Sequence, residues 1–284
     1  MTATPGNPEV VLDIDRLAVS FGGLVALSNV SFDVRKGEIA SLIGPNGAGK
    51  TTAFNTITGF LAASGGAIRY RGRSLNGLRP HQIAELGVVR TFQKTSVFAN
   101  NMVTDNIMIG LHRHAGARLW EILLALPRVR DEESRLRAQA GEILDMMGLS
   151  AHAEELGGAL PYGEQRLLEV AVALAAKPSL LLLDEPVSGM NPSETAGFMA
   201  MLGRIRASGI TILLVEHDMR MVMGVSDRVV VLNQGAIIAE GTPEAIQRNP
   251  EVIRAYLGHG ADKRGAGKPG AAKPGAGERE TGHA

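Results

Sequence analysis

Residues 44–52 read G-P-N-G-A-G-K-T-T and match the phosphate-binding pattern G-x-x-x-x-G-K-[ST] in residue type and spacing. An apolar run at 38–43 precedes the match and predicts a buried strand, while residues 52–58 can open a helix. Strand, glycine turn and helix are the context that this pattern requires. The stretch therefore predicts a site for a nucleoside triphosphate.

The residue types in this loop each have a chemical reason. Glycines let backbone N–H groups and the helix N-terminus approach anionic oxygens without a Cβ clash. Lys50 is expected to reach the β- and γ-phosphates, and the Thr51 hydroxyl to ligate Mg²⁺. The predicted nucleotide-binding residues here are Gly44, Pro45, Asn46, Gly47, Ala48, Gly49, Lys50, Thr51 and Thr52.

Composition narrows the class of protein. The 284 residues are 45% hydrophobic and 20% charged, with a formal net charge of zero, so charge gives no indication of a nucleic-acid partner. There is no cysteine, which fits a reducing compartment and excludes disulfides. The N-terminus lacks the basic and apolar regions of a signal peptide, and no apolar run approaches the roughly 18 residues that span a bilayer. We expect a cytoplasmic protein that other chains would hold at any membrane.

The chain changes character along its length. Alternating residues at 10–34 and 67–73 predict antiparallel strands, helical spacing dominates 103–149, and strands alternate with helices after residue 160. This order predicts an α/β core with an antiparallel β subdomain and a helical insertion at about 94–165. Residues 1–9 are expected to form an N-terminal tail, and the Gly-, Ala-, Lys- and Pro-rich residues 259–284 a disordered one.

Two acids end the apolar run at 180–183. Asp184 is placed to hold Mg²⁺, usually through water, and Glu185 to act as the general base that polarises the attacking water. A second apolar run, 211–215, is followed closely by His217. A lone histidine after a strand is most often structural, but this one is positioned to meet the γ-phosphate.

Two further features need a common explanation. Gln93 follows a predicted strand at 87–92 and is suited to sense Mg²⁺ and the attacking water. Residues 160–166, L-P-Y-G-E-Q-R, open a helix and predict a second anion site, since a helix N-terminus favours anions. A phosphate loop alone is equally typical of kinases, GTPases and helicases. One nucleotide does not require two such sites.

The ordered set of motifs resembles the ATP-binding subunit of ABC transporters over about residues 10–258. The resemblance implies a P-loop, RecA-like core that binds ATP and Mg²⁺, and two such domains paired head to tail. It implies that each ATP lies between one phosphate loop and the partner's signature helix, and that Phe21 stacks on adenine. The signature residues so implied are Pro161, Tyr162, Gly163 and Glu164.

Two positions depart from the family pattern. Pro161 stands where the signature usually has a serine, so a hydroxyl donor to the γ-phosphate is missing. One donor to a charged phosphate contributes about 1.5–3 kcal/mol, so weaker ATP binding or slower hydrolysis is expected. Proline is tolerated in a first helical turn, so the helix itself should persist. Asn191 stands where an aspartate is expected after the acid pair.

Four longer sequence segments resemble the importer subunits for branched-chain amino acids, with importers of urea or short amides as relatives. They are Y-G-E-Q-R-L-L-E-V-A, E-P-V-S-G-M-N-P, F-Q-K-T-S-V-F and N-P-E-V-I-R-A-Y-L-G. The resemblance implies two transmembrane permease subunits, a second ATP-binding subunit that is either a paralogue or a second copy of this chain and, indirectly, an external substrate-binding protein. It places the chain peripherally on the cytoplasmic face of the inner membrane. The alternatives are a lipopolysaccharide-type exporter motor, a non-transport ATPase of translation or repair, and a small-molecule kinase.

Overall fold

A computed structural model describes residues 9–91, 97–112 and 127–261. Gln93, residues 1–8 of the predicted N-terminal tail and residues 262–284 of the predicted C-terminal tail lie outside this part of the chain. The α-helices in it are α1 Lys50–Ile57, α2 Pro80–Glu85, α3 Val103–His112, α4 Pro127–Met147, α5 Tyr162–Ala175, α6 Pro192–Ala207, α7 Met219–Val225, α8 Pro243–Gln247 and α9 Pro250–Ala261. No helix among these residues is both long and apolar enough to cross a membrane.

The strands of the described residues form two sheets. They are β1 Val10–Phe21, β2 Leu24–Arg35, β3 Ile39–Ile43, β4 Gly65–Tyr70, β5 Arg73–Ser74, β6 Val88–Arg90, β7 Leu180–Asp184, β8 Thr211–Val215, β9 Arg228–Asn233 and β10 Ala236–Gly241. The first sheet is antiparallel with the order β2-β1-β4-β5. The second has the order β10-β9-β3-β8-β7-β6 and is parallel except for β10.

The antiparallel strands predicted at residues 10–34 are present as β1 and β2. The strand predicted at 67–73 is divided into β4 and β5, because Arg71 and Gly72 both have positive φ, 47° and 77°, and turn the chain. The strand predicted at 87–92 is observed over the three residues of β6.

Every residue of β3, β7 and β8 is buried, as expected of strands covered on both faces of a parallel sheet. Successive side chains of β7 point to opposite faces. Leu181 and Leu183 pack in a core shared with helices α3, α4, α5 and α6. Leu180 and Leu182 pack in the core formed with the antiparallel sheet and α1. The central sheet thus joins the helical insertion to the β subdomain.

The parallel strands also align their carboxyl ends. Asp184 is in register with Val215 across β7 and β8, and Leu42 of β3 is in register with the same valine. The segments that follow these three strands therefore lie together at one edge of the sheet, where ligands of open α/β sheets bind.

Candidate nucleotide site

The phosphate loop connects β3 to α1, and two of its glycines are required by close packing. A Cβ on Gly44, whose φ is 153°, would lie 2.0 Å from the Leu232 carbonyl oxygen. A Cβ on Gly49, whose φ is 107°, would lie 2.7 Å from the Leu27 side chain. The loop is therefore held against β2 and β9, and its backbone leaves no space for larger residues at these positions.

Lys50 is the first residue of α1, and its side chain folds back over the loop. Its Nζ donates to the carbonyl oxygens of Gly44 and Pro45 at 2.7 and 3.1 Å. Burial lowers the pKa of the Lys50 ammonium below its usual value. The nearby carboxylates of Glu185 and Asp184 oppose this shift but do not cancel it. Within the part of the chain that the structure describes, no side chain caps the N-terminus of α1, so its first amides are available to an anion beside a buried cation.

A cavity of about 650 Å³ lies over the loop and the start of α1. The β1–β2 hairpin forms one side of it, with Phe21 49% exposed, and Glu185 forms another. The lining residues from the loop and helix are Asn46, Gly47, Ala48, Gly49, Lys50, Thr51 and Thr52. The structure therefore brings together Phe21, the phosphate loop and Glu185, which are distant in sequence.

Asp184 ends β7 and is held by Arg90, which ends β6. Arg90 Nη2 donates to Asp184 Oδ2 at 2.6 Å, and the two side chains are 7% and 0% exposed. Arg90 Nη1 also donates to Asn55 Oδ1 of α1 at 2.7 Å. Asp184 Oδ1 is buried without a hydrogen-bond partner among the described residues. A buried carboxylate oxygen that is left without a partner fits a hard cation such as Mg²⁺.

Glu185 follows Asp184 with a φ of 48°, which is uncommon for a residue with a Cβ. Its N–H donates to the Val215 carbonyl at 2.8 Å, so the backbone turns where β7 ends beside β8. His217 Nδ1 lies 3.9 Å from Glu185 Oε2, and the histidine side chain is 57% exposed. The predicted pair therefore meets at the sheet edge and remains accessible.

Glu216 connects the segment after β7 to the segment after β8 through hydrogen bonds. The sequence had predicted no role for it. Its side chain is fully buried. Oε1 accepts a hydrogen bond from the Val187 N–H at 3.1 Å, and Oε2 accepts from the N–H groups of His217 and Asp218 at 2.9 and 3.2 Å. One carboxylate thus fixes the segment after Glu185 relative to the segment that carries His217.

The predicted signature residues lie away from the cavity over the phosphate loop. α5 begins at Tyr162 after Pro161, and Gly163 lies so close to Glu194 that an added Cβ would be 2.9 Å from its carboxylate. Among the described residues that line the 650 Å³ cavity, none comes from 161–164. Asn191 caps α6, its Oδ1 accepting from the N–H groups at 193 and 194. Within one chain the residues of the predicted second anion site are thus separate from this cavity.

Comparison with known proteins decides the family. The family model described as ABC transporter matches residues 27–188, more than half of the chain, and covers the phosphate loop, the signature helix and the acid pair. The chain belongs to the ABC transporter family. A second model, described as branched-chain amino acid ATP-binding cassette transporter, matches residues 236–262 of this ABC transporter chain.

Named relatives of the ABC transporter chain are similar over most of its length. The LivG high-affinity branched-chain amino acid transport ATP-binding protein of Salmonella typhimurium is 47% identical, covering 87% of this chain and 98% of the relative. BraF of Pseudomonas aeruginosa, with the same description, is 43% identical over the same shares. A solved structure of the ADP conformation of an ATP-binding cassette of an ABC transporter is 31% identical with a TM-score of 0.77, and the match covers 88% of this chain and 99% of that one.

These findings confirm the predicted family and fold class of the ABC transporter chain, and its ATPase activity. The assignments of single residues to ATP, Mg²⁺ or water remain predictions. Arg90 and Glu216, which support Asp184 and the loop after Glu185, were missed by the sequence reasoning. No local pattern marks either of them, since an arginine ending a short strand and a glutamate after a buried strand are ordinary.

Proposed function

We propose that this chain is the ATP-hydrolysing subunit of an importer for branched-chain amino acids. It couples MgATP binding and hydrolysis to uptake through two separate transmembrane permease subunits that receive substrate from an external binding protein. It lies on the cytoplasmic face of the inner membrane and pairs with a second ATP-binding subunit. The observation that carries the proposal is the cavity joining Phe21, the phosphate loop and Glu185, in a chain 47% identical to LivG.

The phosphate loop and Lys50 hold the nucleotide. Lys50 leaves the carbonyls of Gly44 and Pro45, to which it now donates, and donates to the β- and γ-phosphates. The open amides at the start of α1 bind the same anion. Phe21, half exposed at the rim of the cavity, stacks on the adenine.

Thr51 and Asp184 hold Mg²⁺, with Gln93 as a further ligand. When bound, Mg²⁺ supplies positive charge that neutralises the phosphate oxygens as the γ-phosphoryl group is transferred. Arg90 keeps the Asp184 carboxylate oriented by donating to Oδ2, which leaves Oδ1 without a partner among the described residues.

Glu185 acts as the general base. A water oxygen bonds to the γ-phosphorus while the bond between that phosphorus and the β–γ bridging oxygen breaks, and Glu185 takes a proton from the water. ADP and inorganic phosphate are the products. His217, 3.9 Å from the carboxylate, donates to a γ-phosphate oxygen, and Gln93 orients the water.

The signature residues Pro161, Tyr162, Gly163 and Glu164 serve the ATP of the second ATP-binding subunit. Their separation from the cavity of their own chain supports this arrangement. The partner's corresponding helix then completes the site described here. ATP pulls the two subunits together, and hydrolysis releases them.

The test uses Glu185→Gln in the transporter purified with its permease subunits and reconstituted in liposomes. Hydrolysis should fall about 10²–10⁴-fold while ATP binding persists. Glu154→Gln, the same change at an exposed position, is the control. Near-normal turnover in Glu185→Gln would remove Glu185 from its role. Uptake of labelled leucine, with labelled urea in parallel, tests the cargo, and urea uptake without leucine uptake would refute the proposed substrate.

A further inference from the structure

The hydroxyl of Tyr162 connects the signature helix to the loop that begins at Glu185. Tyr162 is the first residue of α5, and its hydroxyl donates to the Ser188 carbonyl oxygen at 3.0 Å. The ring also lies against Gly189, where an added Cβ would be 3.1 Å from Cε1. Although the residue is 44% exposed, its hydroxyl is engaged within its own chain.

A buried ion pair on the same helix fixes the orientation of this hydroxyl. Arg166 Nε and Nη2 donate to the Tyr162 oxygen at 3.0 and 2.8 Å, and the guanidinium lies 5.2 Å from the centre of the ring. Arg166 Nη1 donates to Glu169 at 2.9 Å, and both of these side chains are buried. With its acceptor lone pairs occupied by Arg166, the hydroxyl is left to donate its proton to Ser188.

The loop on the other side of this contact is short and internally bonded. The Ser188 N–H donates to the Glu185 carbonyl at 3.2 Å, and the Met190 N–H donates to the Val187 carbonyl at 3.0 Å. The Ser188 carbonyl is therefore linked to the Glu185 backbone through a turn that is closed by a hydrogen bond. The hydrogen bond from Tyr162 to the Ser188 carbonyl thus connects the start of α5 to this turn.

We propose that Tyr162 is a positioning residue for Glu185, and that it links the two ATP sites of the assembled ATPase pair. This inference rests on the proposed function, in which α5 serves the ATP of the second subunit and Glu185 serves the ATP of its own chain. Docking of α5 on the partner's ATP sets the Ser188 carbonyl through the Tyr162 hydroxyl. Glu185 is thereby aligned only when both sites are assembled.

The test is Tyr162→Phe, which removes one hydroxyl and keeps the ring, in the reconstituted transporter. The kcat for ATP hydrolysis should fall about 3- to 10-fold, as for the loss of one hydrogen bond, while the KM for ATP stays within about twofold. Tyr70→Phe is the control, because Tyr70 ends β4 of the antiparallel sheet and its hydroxyl pairs with Ser179 Oγ, before the start of β7, so kcat should not change. A raised KM with unchanged kcat would show that the hydroxyl contacts nucleotide directly. That result, or no change at all, overturns the proposal.

A double-variant cycle with Glu185→Gln tests whether Tyr162 acts through Glu185. If it does, Tyr162→Phe should lower the residual turnover of Glu185→Gln by less than about twofold. A further 3- to 10-fold loss would show an independent effect and overturn the proposal. Failure of the proposed function would be distinct, because Glu185→Gln alone would then keep near-normal turnover.

Discussion

Arg90→Met tests whether the buried guanidinium is what holds Asp184 in place. The substitution keeps an unbranched apolar stem and removes the charge. Asp184 Oδ1 has no partner among the described residues, and Oδ2 would lose the 2.6 Å hydrogen bond from Arg90. Removing one member of a buried ion pair costs about 3–5 kcal/mol, because an uncompensated charge stays buried. We expect the free energy of unfolding of the nucleotide-free protein to fall by that amount.

The assay is urea denaturation followed by circular dichroism, with the midpoint shifted and the slope unchanged. Arg137→Met is the control, because Arg137 pairs with Glu133 on the surface of α4, where the side chains are 66% and 57% exposed. Exposed pairs of this kind contribute about 0–1 kcal/mol, so the control should unfold almost as the wild type does.

Adding Asp184→Asn to Arg90→Met should restore most of the lost stability, because the amide carries no charge that needs compensation. A loss below about 1 kcal/mol in Arg90→Met would refute the reasoning that a buried pair orients Asp184. So would a double variant no more stable than Arg90→Met itself.

Two further predictions concern the phosphate loop. MgATP at 100 times its dissociation constant should stabilise the wild type by about 2.7 kcal/mol, and the Lys50→Met variant should lose this stabilisation. Differential scanning fluorimetry with and without MgATP measures the difference. An unchanged ATP-induced shift would remove Lys50 from phosphate binding. Gly44→Ala places a Cβ 2.0 Å from a carbonyl oxygen, so it should lose at least about 2 kcal/mol more in urea denaturation than Gly209→Ala, which also has positive φ but open space. Equal losses would show that backbone strain, not close packing, requires the glycine.

The sequence predicted most accurately what depends on neighbours along the chain. The phosphate loop was recognisable because Gly44, Gly49 and Lys50 must have fixed spacing between a strand and a helix. Asp184 and Glu185 were recognisable because they end an uninterrupted apolar run, as a strand buried on both faces requires. The division of residues 67–73 into two strands was missed, because positive φ at Arg71, a residue with a Cβ, is not indicated by its type.

The side chains that support the site could not be predicted, because each joins segments that only the fold brings together. Arg90 reaches Asp184 across 94 residues, Glu216 reaches the Val187 amide across 29, and Tyr162 reaches Ser188 across 26. Arg90 and Glu216 approach from neighbouring strands of the central sheet, whereas Tyr162 approaches from the helical insertion. None of the three contacts involves the phosphate loop. It follows that a shift of α5 should alter the alignment of Glu185 without disturbing Lys50, so ATP binding and ATP hydrolysis should be separable by substitution in this chain.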